Sequence, residues 1–172
     1  MSKKIKCTLS SESIRNAIKQ LETYQNRLQD KNEIFVQRLA ELGIPIINEN
    51  IALAQGDSDK NHNTYIKINR FGTYARATLV CEGSDLSFIE FGAGISYNTP
   101  AGTSPHPKGE EFGYTIGSYG QGKGKNESWV YVADSGEWVR SYGTEATMTV
   151  YKASVEIMQN IRRIAKEVFS AQ

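Results

Sequence analysis

An α+β fold is what this sequence predicts, and three observations carry it. Apolar residues recur at helical spacing at both ends of the chain, short runs of β-branched and aromatic residues separated by glycine fill the middle, and a glycine-rich tract interrupts those runs. Together they predict an antiparallel β-sheet of about five strands, packed by N-terminal helices and a long C-terminal helix, with a long Gly-rich loop inserted in the sheet. The 172 residues suit a single domain that buries about two-thirds of its unfolded surface in one core. Within it, residues 1–56 form the N-terminal helices, 64–145 the sheet with the inserted loop 92–126, and 146–170 the C-terminal helix.

The first helix opens where Ser10 or Ser11 can accept hydrogen bonds from free backbone amides, with Glu12 favourably placed in the first turn. Ile14, Ile18, Leu21 and Leu28 then recur at three-, four- and seven-residue steps, which makes one face apolar. A second helix is expected from near Asn32, with Phe35, Leu39 and Leu42 on one face, to break or kink at Gly43 and Pro45. Ile46, Ile47, Ile51 and Leu53 continue a helical run to Gly56.

From Thr64 the pattern becomes that of strands. TYIKI, ARATLVCE and LSFIEF, separated by Gly72 and by Gly83-Ser84, predict an antiparallel meander. A later pair, WVYV from Trp129 and EWVR from Glu137, brackets Asp134-Ser135-Gly136 and predicts a hairpin. Between the two groups, residues 92–126 hold nine of the fifteen glycines and three of the four prolines. So long a connection is unusual in a compact domain and costs much conformational entropy to fix, so its order is expected to come from neighbouring molecules. The last helix carries Tyr151, Val155, Met158, Ile161, Ala165 and Val168 as an apolar stripe facing the sheet.

Charge and cysteine usage exclude several classes. The net charge is +1, and residues 61–145 hold seven basic and nine acidic side chains, so the basic patch of a tight nucleic-acid binder is absent. The basic start MSKKIK has no apolar segment behind it and no run is long enough to span a membrane, which predicts synthesis in the cytoplasm. Cys7 and Cys81 then read as reduced thiols, Cys81 as core packing. With only His62 and His106 beside them, zinc ligands at usable spacing are lacking.

Two motifs fall short of ligand sites. Gly117, Gly122 and Lys123 match the start of a phosphate-binding loop, but Gly124 stands where a hydroxyl would hold magnesium, and the following KNESWVYV alternates like a strand instead of opening a helix. Asp57-Ser58-Asp59-Lys60-Asn61 imitates the first ligands of a calcium loop, yet His62 replaces the turn glycine and Ile68 the bidentate glutamate. No Gly-x-Ser-x-Gly elbow exists, Glu110-Glu111 sits in the loop, and His106 between Pro105 and Pro107 reads as a rigid turn. The expectation is a protein without catalytic, cofactor or metal residues.

The order FIEFGAG, a Pro-His-Pro turn, a glycine-rich tract, WVYV, EWV, GT and a helix opening MTVYKASVEI resembles the tail-completion or neck proteins of long-tailed bacteriophages, over roughly residues 86–165. Where that family often shows a Pro-Phe or Pro-Met pair before the last helix, this chain has Ala146-Thr147-Met148. The resemblance implies a structural virion protein, made in the host cytoplasm, that joins head and tail as a hexameric ring. Its neighbours would be the head-tail connector and the tail terminator or tail-tube proteins, with the genome passing non-specifically through the channel. On this reading Phe88, Glu90 and Phe91 end the strand that launches the loop. Tyr97, His106, Phe112, Tyr114, Tyr119, Lys123, Lys125 and Trp129 then meet adjacent subunits or the next ring. A tail terminator, or a phage protein directed at a host target, remains as an alternative.

Overall fold

The computed structural model describes residues 4–94, 96–97, 104–114, 127–133 and 135–170. Helix α1 (Ser11–Glu41) is one continuous rod of 31 residues, so the helix expected to begin near Asn32 is instead its second half. No glycine or proline lies between Ser11 and Glu41 to interrupt it. The Ser10 side chain accepts from the Ser13 amide, as the sequence anticipates. The chain turns at Leu42, still in helical conformation, into α2 (Gly43–Leu53), where Pro45 falls in the first turn and loses no intrahelical hydrogen bond.

Strands β1 (Asn63–Phe71) and β2 (Tyr74–Glu82) pair antiparallel in full register, Asn63 opposite Glu82 and Phe71 opposite Tyr74. The expected meander stops there. LSFIEF is not a third strand but a short helix, α3 (Leu86–Phe91). The Asp85 carbonyl accepts from the Phe88 and Ile89 amides to start it, and Gly92 ends it at φ 82 and ψ 158, a backbone conformation open essentially only to glycine. The helix wins because it buries Ile89 completely while returning Glu90 to the last helix.

The later hairpin forms as predicted: β3 (Trp129–Val132) pairs with β4 (Trp138–Ser141), closed by a Gly136 amide donating to the Ala133 carbonyl. It does not join β1 and β2. The described residues therefore contain two separate two-stranded antiparallel sheets in place of one sheet of about five strands. Helix α4 (Thr149–Ser170) completes the chain.

Two apolar clusters hold these elements together. Ile47, Ile51 and Ala54 of the α2 region pack with Ile89 of α3 and Ala153 of α4, flanked by Ile46, Leu79, Cys81 and Leu86. Leu39 of α1 packs with Ile164 and Val168 of α4, flanked by Phe35, Leu42 and Ile157. Full burial of each large aliphatic side chain is worth about 1.5–3 kcal/mol, so these clusters supply most of the driving force. Cys81 thus serves in packing as expected, and both thiols are free. The stripe on α4 is only half used, because Met158 and Ile161 are exposed.

Helices α1 and α4 run antiparallel. Phe35 meets Phe169, and Arg38 donates to Glu167 at 2.6 Å. Arg163 donates to the other carboxylate oxygen at 2.9 Å. Hydrogen bonds from Arg38, and next from Arg163, hold the Glu167 carboxyl below its ordinary value. A depressed folded value means the tie is fully present above the unfolded pKa and is lost as pH falls through the folded one. Arg38→Ala is expected to move the Glu167 titration, followed by carboxyl NMR, back up towards that of a free glutamate. The stability change should be small, because the pair faces water.

Candidate functional site

The short helix α3 sets up the most connected polar site among the described residues. Glu90 projects from its last turn at the N-terminus of α4, where free backbone amides carry partial positive charge. Its Oε2 accepts from the Val150 amide at 2.6 Å and its Oε1 from the Tyr151 amide at 2.9 Å. Oε1 also accepts from His106 Nε2 at 3.0 Å. The connection is returned, because the carbonyls of Ile89 and Glu90 at the end of α3 accept from the Thr147 and Met148 amides. Ala146-Thr147-Met148 is therefore the segment that locks α3 to α4, with Met148 held at φ 52, a strained value for a side chain of this size.

His106 is the third party to this lock. The Lys108 amide donates to its Nδ1 at 3.0 Å, so that nitrogen carries no proton and Nε2–H is the donor to Glu90. Both side chains are buried, and among the described residues every buried polar side-chain atom has a partner. The Pro-His-Pro segment is a turn, as the sequence suggests, but the histidine inside it is a structural fastener.

Aromatic side chains cover the pair. Phe91 stacks on Tyr114 with ring centroids 4.2 Å apart, lies 5.5 Å from Phe112, and meets the His106 ring edge-on at 4.5 Å. Tyr151 of α4 approaches His106 from another side at 5.4 Å. Ser104 donates to the Phe91 carbonyl. Residues 104–114 thus take their order from their own chain, a departure from the expectation that the inserted loop waits for neighbours.

Of the residues expected at subunit contacts, the structure gathers Glu90, Phe91, His106, Phe112 and Tyr114 into this one cluster. Phe88 lies half-buried in α3 and not at a strand end, and the Trp129 ring lies against Gly94 of the same chain. Tyr97 is exposed. Tyr119, Lys123 and Lys125, with the near phosphate loop at Gly117–Gly124, fall outside the described residues. The near calcium loop connects α2 to β1, and its carboxylates serve the backbone: Asp57 accepts from the Tyr142 amide and Asp59 from the Asn61 amide. Among the described residues no group of three or more His, Cys, Asp or Glu could hold a metal ion, and no helix is long and apolar enough to cross a membrane.

Sequence reasoning missed an exposed apolar surface on the later hairpin. On the β3–β4 hairpin, Trp138 is 76% exposed, Val132 52% and Val130 50%, with Tyr131 and Tyr142 beside them. The signal was present, because WVYV is apolar at every position and so leaves no polar face for water. A two-stranded ribbon is marginal alone and also presents open edges to a further strand. Compared with models of known families, with curated proteins and with solved structures, this chain gives no match.

Proposed function

We propose that this chain is a structural subunit of the neck of a long-tailed bacteriophage, which completes the tail and joins it to the head as a hexameric ring around the DNA channel. The observation that carries the reading is the β3–β4 hairpin, whose large apolar side chains face outward on an otherwise ordinary soluble composition. A contiguous exposed patch of this kind marks a surface made to be covered by protein. The resemblance of residues 86–165 supplies the setting. A ring needs two different surfaces on each subunit, and the hairpin offers one, with the exposed Tyr97 and Phe112 of the inserted segment as candidates for the second. The near-neutral charge suits a conduit through which DNA slides without being gripped.

The roles follow from what each group touches. Glu90 and His106 hold the base of the inserted segment in place; Trp138, Val130 and Val132 provide contact area to the next subunit. Trp138→Ser is expected to leave unfolding within ~0.5 kcal/mol of wild type, since the ring is mostly in water. The same change should abolish head-to-tail joining, leaving separate heads and tails in lysates. Absence of the chain from purified virions, or full infectivity of the Trp138→Ser phage, would overturn the reading. Deleting residues 97–125 is a poor test, because it removes His106 from Glu90 and should destabilise the monomer itself.

A further inference from the structure

Among the described residues, no other helix or strand covers the apolar face of the first 18 residues of α1. Residues 18–28 are exposed without exception, Ile18, Leu21, Tyr24 and Leu28 among them, and Ile14 is exposed as well. The body of the protein begins at Gln29, which donates to the Gly72 carbonyl at the β1–β2 turn, followed by Asp30 paired with Arg70. A free helix about 27 Å long, apolar along one face, therefore projects from the fold. Such a helix gains most of its stability by burying that face.

The spacing identifies what buries it. Positions 14, 18, 21, 25, 28, 32, 35, 39 and 42 alternate steps of four and three, the spacing of a coiled-coil seam, and all are apolar except Gln25 and Asn32. The second half of this seam, Phe35, Leu39 and Leu42, is covered by α4 of the same chain. The first half is free. Here we infer that it is covered by the same segment of a second copy, running antiparallel, with the two-fold axis between Lys19 and Gln20.

Three features favour this occupant. In that register Ile18 meets Leu21 of the second copy, and Leu21 meets its Ile18, so the strongest apolar residues form the central layers. Arg15 then flanks the seam opposite Glu22 of the second copy, twice by symmetry, and neither residue has an ion-pair partner within its own chain among the described residues. Tyr24 falls beside the small Ala17 of the second copy. The overlap also fits the available length, since the Ser10 cap of one helix lies level with Gln29 of the other, where the body starts. Parallel pairing fails on both counts. It brings two bodies to one end of the seam, where each chain's own α4 already occupies it, and it leaves Arg15 and Glu22 without partners.

The inference does not rest on the neck reading. An isologous pair closes on itself and makes a dimer of the free chain, whereas a ring needs a different surface. The test is sedimentation equilibrium of the full chain over micromolar to sub-millimolar concentrations, with circular dichroism alongside. Wild type should show a monomer–dimer equilibrium. Arg15→Glu and Glu22→Arg should each weaken the dimer about tenfold or more, and the double exchange should restore it. Leu21→Lys should abolish the dimer and lower helicity while leaving thermal unfolding of the body unchanged. A wild-type monomer throughout, single exchanges without effect, or an assembly larger than a dimer that survives them would overturn the pairing.

Discussion

Replacing Glu90 by alanine is expected to destabilise the protein by about 3–5 kcal/mol, the cost of removing one partner from a buried charged network. One carboxylate accepts hydrogen bonds from the Val150 and Tyr151 amides and from His106 Nε2. After truncation these donors face a small cavity, and each unmet buried donor costs about 1–3 kcal/mol where water cannot reach it. For a chain of this size the midpoint of thermal unfolding should fall by roughly 10 °C or more. Glu90→Gln separates charge from shape. It keeps one acceptor oxygen but sets an NH2 group against donors, so its loss should be intermediate. His106→Ala should cost less than Glu90→Ala, because the carboxylate retains both α4 amides. Denaturant melts of the three variants check the order, and a Glu90→Ala protein as stable as wild type would show that α4 does not depend on this cap.

Gly143→Val is the second substitution expected to have a large effect. Three backbone segments cross here: the Asp57 amide donates to the Gly143 carbonyl, and Thr144 and Ala93 exchange amide-to-carbonyl hydrogen bonds at 2.9 and 3.0 Å. Glu145 adds a fourth bond to the Gln55 carbonyl at 2.8 Å. These contacts tie the ends of α2 and α3 to the segment leading into α4. Gly143 sits at φ 100, outside the range of a β-branched residue, and a side-chain carbon added there would overlap the Ala93 carbonyl oxygen. Backbone strain of about 1–3 kcal/mol adds to the steric cost of forcing the strands apart, so a loss on the order of 4 kcal/mol is expected. Gly72→Ala, at an open turn with no atom within 4 Å of the added carbon, serves as the comparison and should cost about 1 kcal/mol. Equal melting temperatures for the two variants would show that the crossing is looser than its hydrogen bonds suggest.

Much of the architecture was legible in the residues. The stripes on α1 and α4, the Ser10 cap, the turn at Gly43 and Pro45, and both hairpins follow from local pattern alone. LSFIEF shows why six-residue segments resist such reading. Its β-branched and aromatic content suits a strand, and only the pocket for Ile89 among Ile47, Ile51 and Ala153 makes the helix better. Gly92, placed to end a helix, was the one local sign. The Glu90–His106 pair was illegible for a different reason. The two are 16 residues apart across a glycine- and proline-rich segment, and nothing in that spacing says which carboxylate the histidine finds.

The sequence by itself determined where helices and hairpins form, because hydrophobic periodicity, capping and turn residues act within a few positions along the chain. It also wrote a seam along α1, apolar except at Gln25 and Asn32. Only the tertiary structure decided how much of that seam the molecule covers for itself: α4 reaches Ser170, alongside Phe35, and among the described residues no helix or strand covers the apolar residues before Gln29. The same holds for the two sheets, whose strands pair locally but whose separation depends on what packs against each face, a property no short stretch of residues contains.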